Sequence, residues 1–542
     1  MGSAVTRDDL DALGRLSPFE LKNTLIALAA SHGERLMLNA GRGNPNFLAT
    51  LPRHAFFELG RFALEEAERG ADELPVGVGR LPMGDGSAAR LGRFTEARQE
   101  ETGSAFLSSA VAFACDRFGF DADDFARELT QGLLGCNYPE PPRMLRHAEA
   151  IVRAYLLKEM GGSDDAVGVD LCAVEGATAG ITYVFNSLRE NRLIAPGDTI
   201  AIGTPIFTPY LEIPELDDYR LRELVIAGDP DEGWQYPAGE LAKLADPRVK
   251  ALLLVNPGNP TSAKINGESL SRIAQIVATQ RPDLVIVTDD VYATFADDFT
   301  SLFALCPRNT VLLYSFSKYF GATGWRLGVI ALSADNILDE KIATMPAAVR
   351  GALDERYGSL VVEPRKLRFI DRLVADSRAI ALNHTAGLST PQQVQMTLFA
   401  LFALMDGRGQ YKRNMKGLIR SRYRSLHEAL GIEPAEDPNG VCYYALLDLE
   451  HLGDALYGRH FADWLLATKN PLEILLRLAD EAGIVLLPGK GFGTPHPSAR
   501  VSLANLDGAD YARIGRSVRS MLDDYAAEYR ACVETNAQER VR

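Results

Sequence analysis

The feature that most constrains the fold of this chain is a series of short apolar runs that alternate with helical stretches. The runs lie at residues 171–174, 199–202, 221–226, 250–255, 284–288, 310–314 and 328–331. Several consist of Val, Ile and Leu without polar alternation, which is typical of strands buried on both faces of a mostly parallel sheet. Because helices connect the runs, the sequence predicts an α/β fold built from strand–helix–strand units.

The remaining residues predict further domains around this sheet. A helix is expected at 17–31, residues 54–130 are mostly helical with a Gly-rich interruption at 77–86, and a tail mixes helices with strands at 441–447, 484–487 and 500–502. A chain of 542 residues exceeds one typical core. We therefore expect an N-terminal segment at 1–53, a helical insert at 54–134, a large domain at 135–385 and a smaller α+β domain at 386–542.

The run at 310–314 leads into Ser315-Phe316-Ser317-Lys318, and Arg326 follows eight positions later. A lysine that forms a Schiff base must be neutral for part of its cycle, so it needs neighbouring cations and an electron sink. In such a site the two serine hydroxyls and the arginine would hold a phosphate. The string predicts pyridoxal phosphate (PLP) attached to Lys318, although S-x-S-K alone is more often a surface turn.

Other candidate residues follow the ends of the same strands, where open α/β sheets bind their ligands. Gly176, Ala177 and Thr178 open a helix after the first run, and their N–H groups would cradle a phosphate. Phe207 follows the second run and could stack on a pyridine ring. Taken singly, a βα turn and a core aromatic are the more ordinary interpretations.

Three more sequence motifs contain candidate functional residues. Asn259 lies in N-P-G-N-P, Asp289 and Tyr292 form D-x-x-Y after a buried run, and Arg500 follows P-G-x-x-F-G. A carboxylate beside a pyridine nitrogen would keep that nitrogen protonated, which makes the ring an electron sink. A planar guanidinium binds a carboxylate through two parallel hydrogen bonds, which a lysine cannot do.

Together, and in this order, the strings resemble the fold-type I aminotransferases. The resemblance implies a PLP-dependent transferase with a mostly parallel central sheet in a large domain and a smaller α+β domain. It implies that Asp289 pairs with the ring nitrogen of the cofactor and that Asn259 and Tyr292 bond its phenolic oxygen. Ser262 departs from the family pattern, which has glycine at that position.

Two strings, at 38–46 and 135–145, are similar to the bacterial aspartate 4-decarboxylases. That resemblance implies PLP-dependent β-decarboxylation of L-aspartate to L-alanine and CO2, with transamination between aspartate and 2-oxo acids. It further implies that Arg500 binds the substrate α-carboxylate and that Gly43 lies against the substrate. Tyr138 is expected to reach the cofactor phosphate of a neighbouring subunit.

A dicarboxylic substrate needs a second cation besides the one at its α-carboxylate. Arg42 and Lys22 are the candidates, because both lie in the N-terminal segment that covers the site in this fold. The ordinary interpretations are a turn arginine and a solvated helix lysine. The resemblance also implies a homo-oligomer built from dimers, with a dodecamer as one candidate assembly.

Composition excludes several classes of function. The net charge of −15 argues against a nucleic-acid partner, since phosphate backbones require a basic surface. The six cysteines form no C-x-x-C pair and the histidines show no ligand spacing, so we expect reduced thiols and no metal.

The N-terminus, with Asp8, Asp9 and Asp11, has no apolar core, and the longest apolar stretch, 396–405, is too short for a bilayer. We expect a cytoplasmic protein without membrane contact.

Three alternatives remain at this point. The nearest is a plain aminotransferase that acts on aspartate or another amino acid without decarboxylation. A PLP-binding transcriptional regulator would need a basic winged-helix module, for which residues 1–40 are too few, and residues 54–130 carry no basic stripe. A nucleotide-binding dehydrogenase is disfavoured because no predicted strand is followed by G-x-G-x-x-G.

Overall fold

The computed structural model describes residues 10, 12–31, 36–162, 168–382, 385, 387–434 and 436–541, with side chains as far as residue 535. The acidic residues Asp8, Asp9 and Asp11, on which the prediction of no signal peptide partly depends, lie outside the described residues.

The seven apolar runs form one seven-stranded sheet. In chain order the described strands are β1 Leu38–Asn39, β2 Val169–Val174, β3 Thr199–Thr204, β4 Arg222–Ala227, β5 Val249–Val255, β6 Val285–Asp289, β7 Thr310–Ser315, β8 Gly328–Ser333, β9 Tyr444–Asp448, β10 Ile484–Val485, β11 Leu487–Pro488 and β12 Ser498–Ser502. The sheet order is β2-β8-β7-β6-β5-β3-β4, and only β8 runs antiparallel to its neighbours. The predicted mostly parallel α/β sheet is confirmed.

Two separate cores explain the lack of polar alternation in these strands. Leu253 of β5 and Val287 of β6 face the large core, whereas their neighbours Leu252 and Ile286 face a smaller core on the other side of the sheet. Since both faces are covered, every second position is apolar on each side, and the strands become continuous hydrophobic runs. β4 lies at the edge of the sheet and exposes Arg222. An edge strand of this kind does not need a continuous hydrophobic run.

Helices cover the sheet and form most of the remaining structure. The described helices are Pro18–Ala30, Leu51–Glu68, Ser87–Glu96, Thr102–Phe118, Ala122–Leu134, Arg146–Glu159, Ala177–Glu190, Thr208–Glu212, Ala238–Ala242, Gly267–Thr279, Leu302–Leu305, Ile337–Thr344, Ala347–Tyr357, Phe369–Asp376, Thr390–Met405, Gln410–Leu430, Leu449–Tyr457, Arg459–Thr468, Pro471–Ala482 and Gly508–Val541. Ser17 caps the first of these, since its hydroxyl accepts from the N–H of Glu20 and Pro18 occupies the first turn. Within the described residues, no helix is both long and apolar enough to cross a membrane.

The predicted helical insert is a group of four helices between residues 51 and 134. Its first and third helices approach closely at Gly103, where a Cβ atom would collide with the backbone of His54. Gly132 likewise packs against Val394 of the buried helix Thr390–Met405. Because these helices share one continuous hydrophobic core with the large sheet, the boundary of the insert stays a prediction.

The strand expected at 484–487 is two strands with different partners. β10 pairs in parallel with β1 near the N-terminus, whereas β11 pairs antiparallel with β12, which continues to β9 in a small sheet. Leu486 lies at the change of partner and is buried. The apolar run is continuous in sequence, so only the tertiary pairing divides it.

Candidate active site

A cavity of about 200 Å³ lies at the carboxyl ends of the central strands. Of the candidate residues, its lining contains Gly43, Ala177, Thr178, Phe207, Asn259, Asp289, Tyr292, Ser315, Ser317, Lys318, Arg326 and Arg500. The strands β3, β5, β6 and β7 each end at or just before one of these residues, which is why separate strings in the sequence meet here. Gly176, Tyr138, Arg42 and Lys22 are not among the lining residues.

Lys318 presents a buried amine to this cavity. Its Nζ donates to the carbonyl oxygen of Gly43 at 3.1 Å. Burial lowers the pKa of the Lys318 amine, and the positive charges of Arg500 and Arg326 lower it further, against the opposing effects of Tyr444 and Asp289. A lowered pKa favours the neutral amine, which is the form that acts as a nucleophile or base.

Asp289 is a buried carboxylate at the end of β6. Its Oδ2 accepts a hydrogen bond from the hydroxyl of Tyr210 at 2.7 Å, and its Oδ1 accepts from the N–H of Val291 at 3.2 Å. Burial raises the pKa of Asp289 to about 6, although both hydrogen bonds act in the opposite direction. A buried carboxylate is costly without a cationic partner, so this position favours a ligand with a protonated nitrogen.

A candidate anion site lines the same cavity. The N-terminus of helix Ala177–Glu190 opens here, with Ser315 and Ser317 beside it and their hydroxyls 2.8 Å apart. Arg326 is fixed by its Nη2, which donates to the carbonyl of Glu175 at 2.8 Å. Gly176 does not line the cavity but makes room for this arginine, because a Cβ there would collide with its guanidinium. Helix dipole, hydroxyls and guanidinium together suit a phosphate.

Arg500 is a buried guanidinium on β12, with 2% of its surface exposed. Its Nη1 donates to Oδ1 of Asn259 at 2.9 Å and its Nη2 donates to the carbonyl of Gly41 at 2.8 Å. The guanidinium lies over the ring of Tyr444, 4.4 Å from its centroid. Its Nε has no hydrogen-bond partner among the residues that the structure describes. Such a group is prepared to bind a carboxylate that enters the cavity.

Gly43 lies where the N-terminal segment crosses the cavity. A Cβ atom at this position would collide with the hydroxyl of Tyr444 and come within 3.5 Å of the Lys318 amine. Its carbonyl accepts from the Tyr443 hydroxyl at 2.9 Å as well as from Lys318. Only a residue without a side chain fits between these groups.

The crossing segment is held along its length by the C-terminal part of the chain. The carbonyl of Ala40 accepts from the N–H of Ser502 at 2.7 Å, and the N–H of Asn46 donates to the carbonyl of Ala504 at 2.8 Å. Asn505 donates from its side chain to the carbonyl of Asn39 at 2.6 Å. We call residues 39–46 the strap, because it closes one side of the cavity under these bonds.

The two candidates for the distal carboxylate lie near Arg500. Lys22 is half-buried in the first helix, with its amine 5.6 Å from the ring centroid of Phe19, which lines the cavity. Burial lowers the pKa of Lys22, and the positive charges of Arg42 and Arg500 add to that effect. Arg42 is exposed on the strap. Lys22 therefore lies within electrostatic range of both arginines.

Phe207 and Tyr138 differ in their relation to the cavity. Phe207 lines it and packs edge-on against Phe19 at 5.7 Å and Tyr210 at 5.3 Å between ring centroids. Tyr138 is 66% exposed and outside the cavity. Its expected role in a neighbouring subunit stays a prediction.

The sequence did not predict the lining residues Phe19, Val255, Val291, Thr323 and Tyr444, or Tyr210, which bonds Asp289. Tyr210 had a local signal, since it lies three positions after Phe207 in the same helical turn. Tyr444 had none, because it starts a strand of the small sheet and reaches the cavity only through the tertiary fold. Phe19 lies in the first turn of the helix Pro18–Ala30, whose sequence shows only the ordinary spacing of apolar residues along one face.

These residues fit PLP. The buried carboxylate of Asp289 suits a protonated ring nitrogen and the candidate anion site suits the phosphate. The amine of Lys318 lies within electrostatic range of both Asp289 and Arg326, and its pKa is lowered. The amide of Asn259 and the hydroxyl of Tyr292 also face the cavity and would bond the phenolic oxygen.

The chain was compared with known proteins. Residues 149–517 match the family model "Aminotransferase class I and II". A bifunctional aspartate aminotransferase and L-aspartate beta-decarboxylase from a Pseudomonas species is 55% identical over 524 residues, which cover 96% of this chain and 99% of that protein.

Solved structures show the same fold at low identity. An aspartate aminotransferase from Thermus thermophilus with maleate has a TM-score of 0.59 at 16% identity, covering 96% of this chain and all of that one. An alanine aminotransferase from Pyrococcus furiosus has a TM-score of 0.57 at 18% identity, covering 93% and 97% of the two chains.

Proposed function

The chain belongs to the class I and II aminotransferases, and on that premise we propose that it converts L-aspartate to L-alanine and CO2 and also transaminates aspartate with 2-oxoglutarate. Its cofactor is PLP. The observation that supports the choice of substrate is that Lys22 lies within electrostatic range of Arg42 and Arg500, and that Arg500 in turn acts on the amine of Lys318. Two carboxylates of a short dicarboxylic acid match that charge distribution.

PLP, when bound, supplies an aldehyde that links to an amino group and a protonated ring that withdraws electrons from it. Lys318 would hold the aldehyde carbon and Asp289 the ring nitrogen. The phosphate would be bound by the N–H groups at Ala177 and Thr178, with Arg326 and the hydroxyls of Ser315 and Ser317. Phe207 would cover one face of the ring.

The side chains around the cofactor would then act on the substrate. Arg500, whose Nε has no partner among the described residues, would bind the α-carboxylate and so orient the Cα–H bond toward Lys318. The neutral amine of Lys318 takes the Cα proton and returns it later, since its lowered pKa keeps it in the basic form. Gly43 leaves room for the substrate between the strap and this amine.

Loss of CO2 requires that the distal carboxylate is not held too firmly and that water is excluded. Lys22 suits the first condition, because an ammonium is a point charge that does not bind a carboxylate at two points, and Arg42 because water screens an exposed cation. Phe19 supports the second, since its ring lines the cavity against Phe207. A plain aspartate aminotransferase would need a firm, fully charged partner here.

The test is to supply purified holoenzyme with excess L-aspartate and to measure alanine, CO2 and oxaloacetate. We expect alanine and CO2 in equal amounts and far in excess of enzyme. Oxaloacetate without CO2 would establish the plain aminotransferase instead. Lys318→Ala is the control and should produce none of the three.

We also propose a cytoplasmic homo-oligomer built from dimers, in which Tyr138 reaches the cofactor phosphate of a neighbouring subunit. Its exposure in the single chain supports this role. Light scattering should give a mass of two chains or a multiple, up to twelve. Tyr138→Phe should weaken cofactor binding without changing that mass, and a monomeric active enzyme would contradict the proposal.

A further inference from the structure

Tyr444 occupies a central place in the cavity that no part of the reaction described above uses. It is 3% exposed at the start of β9. Its N–H donates to Oγ of Ser262 at 2.6 Å, so the serine that departs from the family pattern fixes its main chain. Its ring supports the guanidinium of Arg500. The hydroxyl is thereby directed between Gly43 and Tyr292.

The hydroxyls of Tyr444 and Tyr292 are hydrogen-bonded at 2.8 Å. A hydroxyl carries a single proton. If Tyr292 donates that proton to the phenolic oxygen of the cofactor, its own oxygen can only accept, and Tyr444 must be the donor between them. The direction of the hydrogen bond, from Tyr444 to Tyr292, therefore follows from the role of Tyr292.

The charged and titratable groups that interact with this pair are Lys318 after β7, Arg500 on β12 and a third phenol, Tyr443, before β9. Asp289 on β6 and Arg326 before β8 act on Lys318. Removing the Tyr444 hydroxyl alone leaves the ring contact with Arg500 and the hydrogen bond from Tyr210 to Asp289 in place.

We propose that Tyr444 is a positioning residue that strengthens Tyr292 as a donor to the cofactor and so sets the pH at which the Lys318–cofactor linkage loses its proton. We call the two hydroxyls the Tyr444–Tyr292 relay. Donation into the oxygen of Tyr292 polarises its O–H bond, since chains of hydrogen bonds reinforce one another in a buried site. A stronger donor stabilises the negative phenolic oxygen of the cofactor, which then holds the proton of the neighbouring linkage nitrogen less tightly. The inference rests on the proposed function, because it takes Tyr292 to face the cofactor.

The experiment follows the pH titration of the linkage by absorbance in the purified holoenzyme. Tyr444→Phe keeps the ring beneath Arg500 and removes the hydroxyl. We expect the midpoint to rise by about half a pH unit or more. In the background of Tyr292→Phe, the same substitution should cause a clearly smaller shift, because the hydrogen bond that transmits its effect through Tyr292 is then absent.

An unchanged midpoint in Tyr444→Phe, or an equal rise in both backgrounds, would overturn the relay. Should the phenylalanine variant not retain cofactor, 3-fluorotyrosine placed at position 444 keeps ring and hydroxyl and is a more acidic donor. It should lower the midpoint, and a midpoint at or above the wild-type value contradicts the inference. A wild-type protein without any Lys318-dependent band refutes the proposed function itself. A Lys318-dependent band whose titration midpoint is the same in wild type and Tyr444→Phe refutes the relay alone.

Discussion

The phenol of Tyr210 donates a 2.7 Å hydrogen bond to Oδ2 of Asp289, and both side chains are buried. The bond holds the pKa of Asp289 lower than burial alone would leave it. It also ties the carboxylate to the short helix that follows Phe207, the aromatic expected to cover the ring. The short helix thus positions both Phe207, expected over the face of the cofactor ring, and Asp289, expected at the ring nitrogen.

Tyr210→Phe should therefore weaken cofactor binding. Without the phenol the pKa of Asp289 rises further above 6, so less of it is ionised at neutral pH. We expect cofactor affinity to fall about tenfold, the value of one hydrogen bond to a charged group, as measured by release on dilution. Tyr236→Phe, in the core on the other side of the sheet, is the control and should bind normally.

Gly43→Ala should abolish most activity with little loss of stability. The added methyl group would collide with the Tyr444 hydroxyl and crowd the Lys318 amine. We expect kcat/KM to fall at least about tenfold, while the free energy of unfolding changes by about 1 kcal/mol or less, since the strap can shift locally. Gly239→Ala is the matched control, because within the described residues a Cβ there would meet no atom within 4 Å. Equal activity in both variants would contradict the assigned place of Gly43.

Arg500→Lys should impair binding of the α-carboxylate. A lysine cannot reproduce the fork that bonds Asn259 and Gly41 and still offers a free donor. We expect the KM for aspartate to rise by about ten- to a hundredfold, from the loss of charge-assisted hydrogen bonds. Titration with a non-reacting dicarboxylate, followed through the cofactor absorbance, measures the same loss without turnover. Wild-type affinity in that titration would remove Arg500 from the substrate site.

Lys22→Arg should shift the products toward oxaloacetate. Burial and the neighbouring cations lower the pKa of Lys22, so it loses its charge more readily as pH rises. Arginine stays charged and binds a carboxylate at two points, so the distal group is held more firmly and CO2 leaves less often. We expect the ratio of CO2 to oxaloacetate to fall about threefold or more. Lys366→Arg, on the exposed surface, should leave the ratio unchanged.

Asp290 should make the stability of the fold depend on pH near neutrality. Burial raises its pKa to about 7, against hydrogen bonds from Ser301 and Thr288. The folded pKa lies above the unfolded one, so this contribution is full below about pH 4 and is lost as pH rises through 7. Asp290→Asn should remove that dependence. Urea unfolding between pH 5 and 9 would show it, and parallel curves for the two proteins would contradict it.

Much of the site was predictable because most of its residues lie in short, recognisable sequence motifs. Asp289, Asn259 and Ser315 each end or follow a buried strand, and parallel strands bring their carboxyl ends to one edge. Burial on both faces makes those strands recognisable, whereas their order in the sheet is a matter of tertiary pairing. The sheet and the residues around Lys318 therefore follow from pattern.

The remaining features depend on contacts between distant parts of the chain. Tyr444 reaches Tyr292 from another sheet, and the run at 484–487 is divided because β10 meets β1. Neither has a periodicity or spacing that would mark it. The resemblance suggested Gly43, but the reason for a glycine there, the Tyr444 hydroxyl, is visible only in three dimensions.

The strap has a consequence for biosynthesis. Its residues 39–46 leave the ribosome early, yet Ala40 and Asn46 bond to Ser502 and Ala504, and Asn39 bonds to Asn505. Translation must therefore pass position 505 before the segment that presents Gly43 to Lys318 can be fixed. A nascent chain could assemble the central sheet and its lysine much earlier, since domains fold as units during synthesis. The finished pocket would appear only after Ser502 to Asn505 have been made, so a nascent chain that holds the sheet and Lys318 alone does not yet have a closed site.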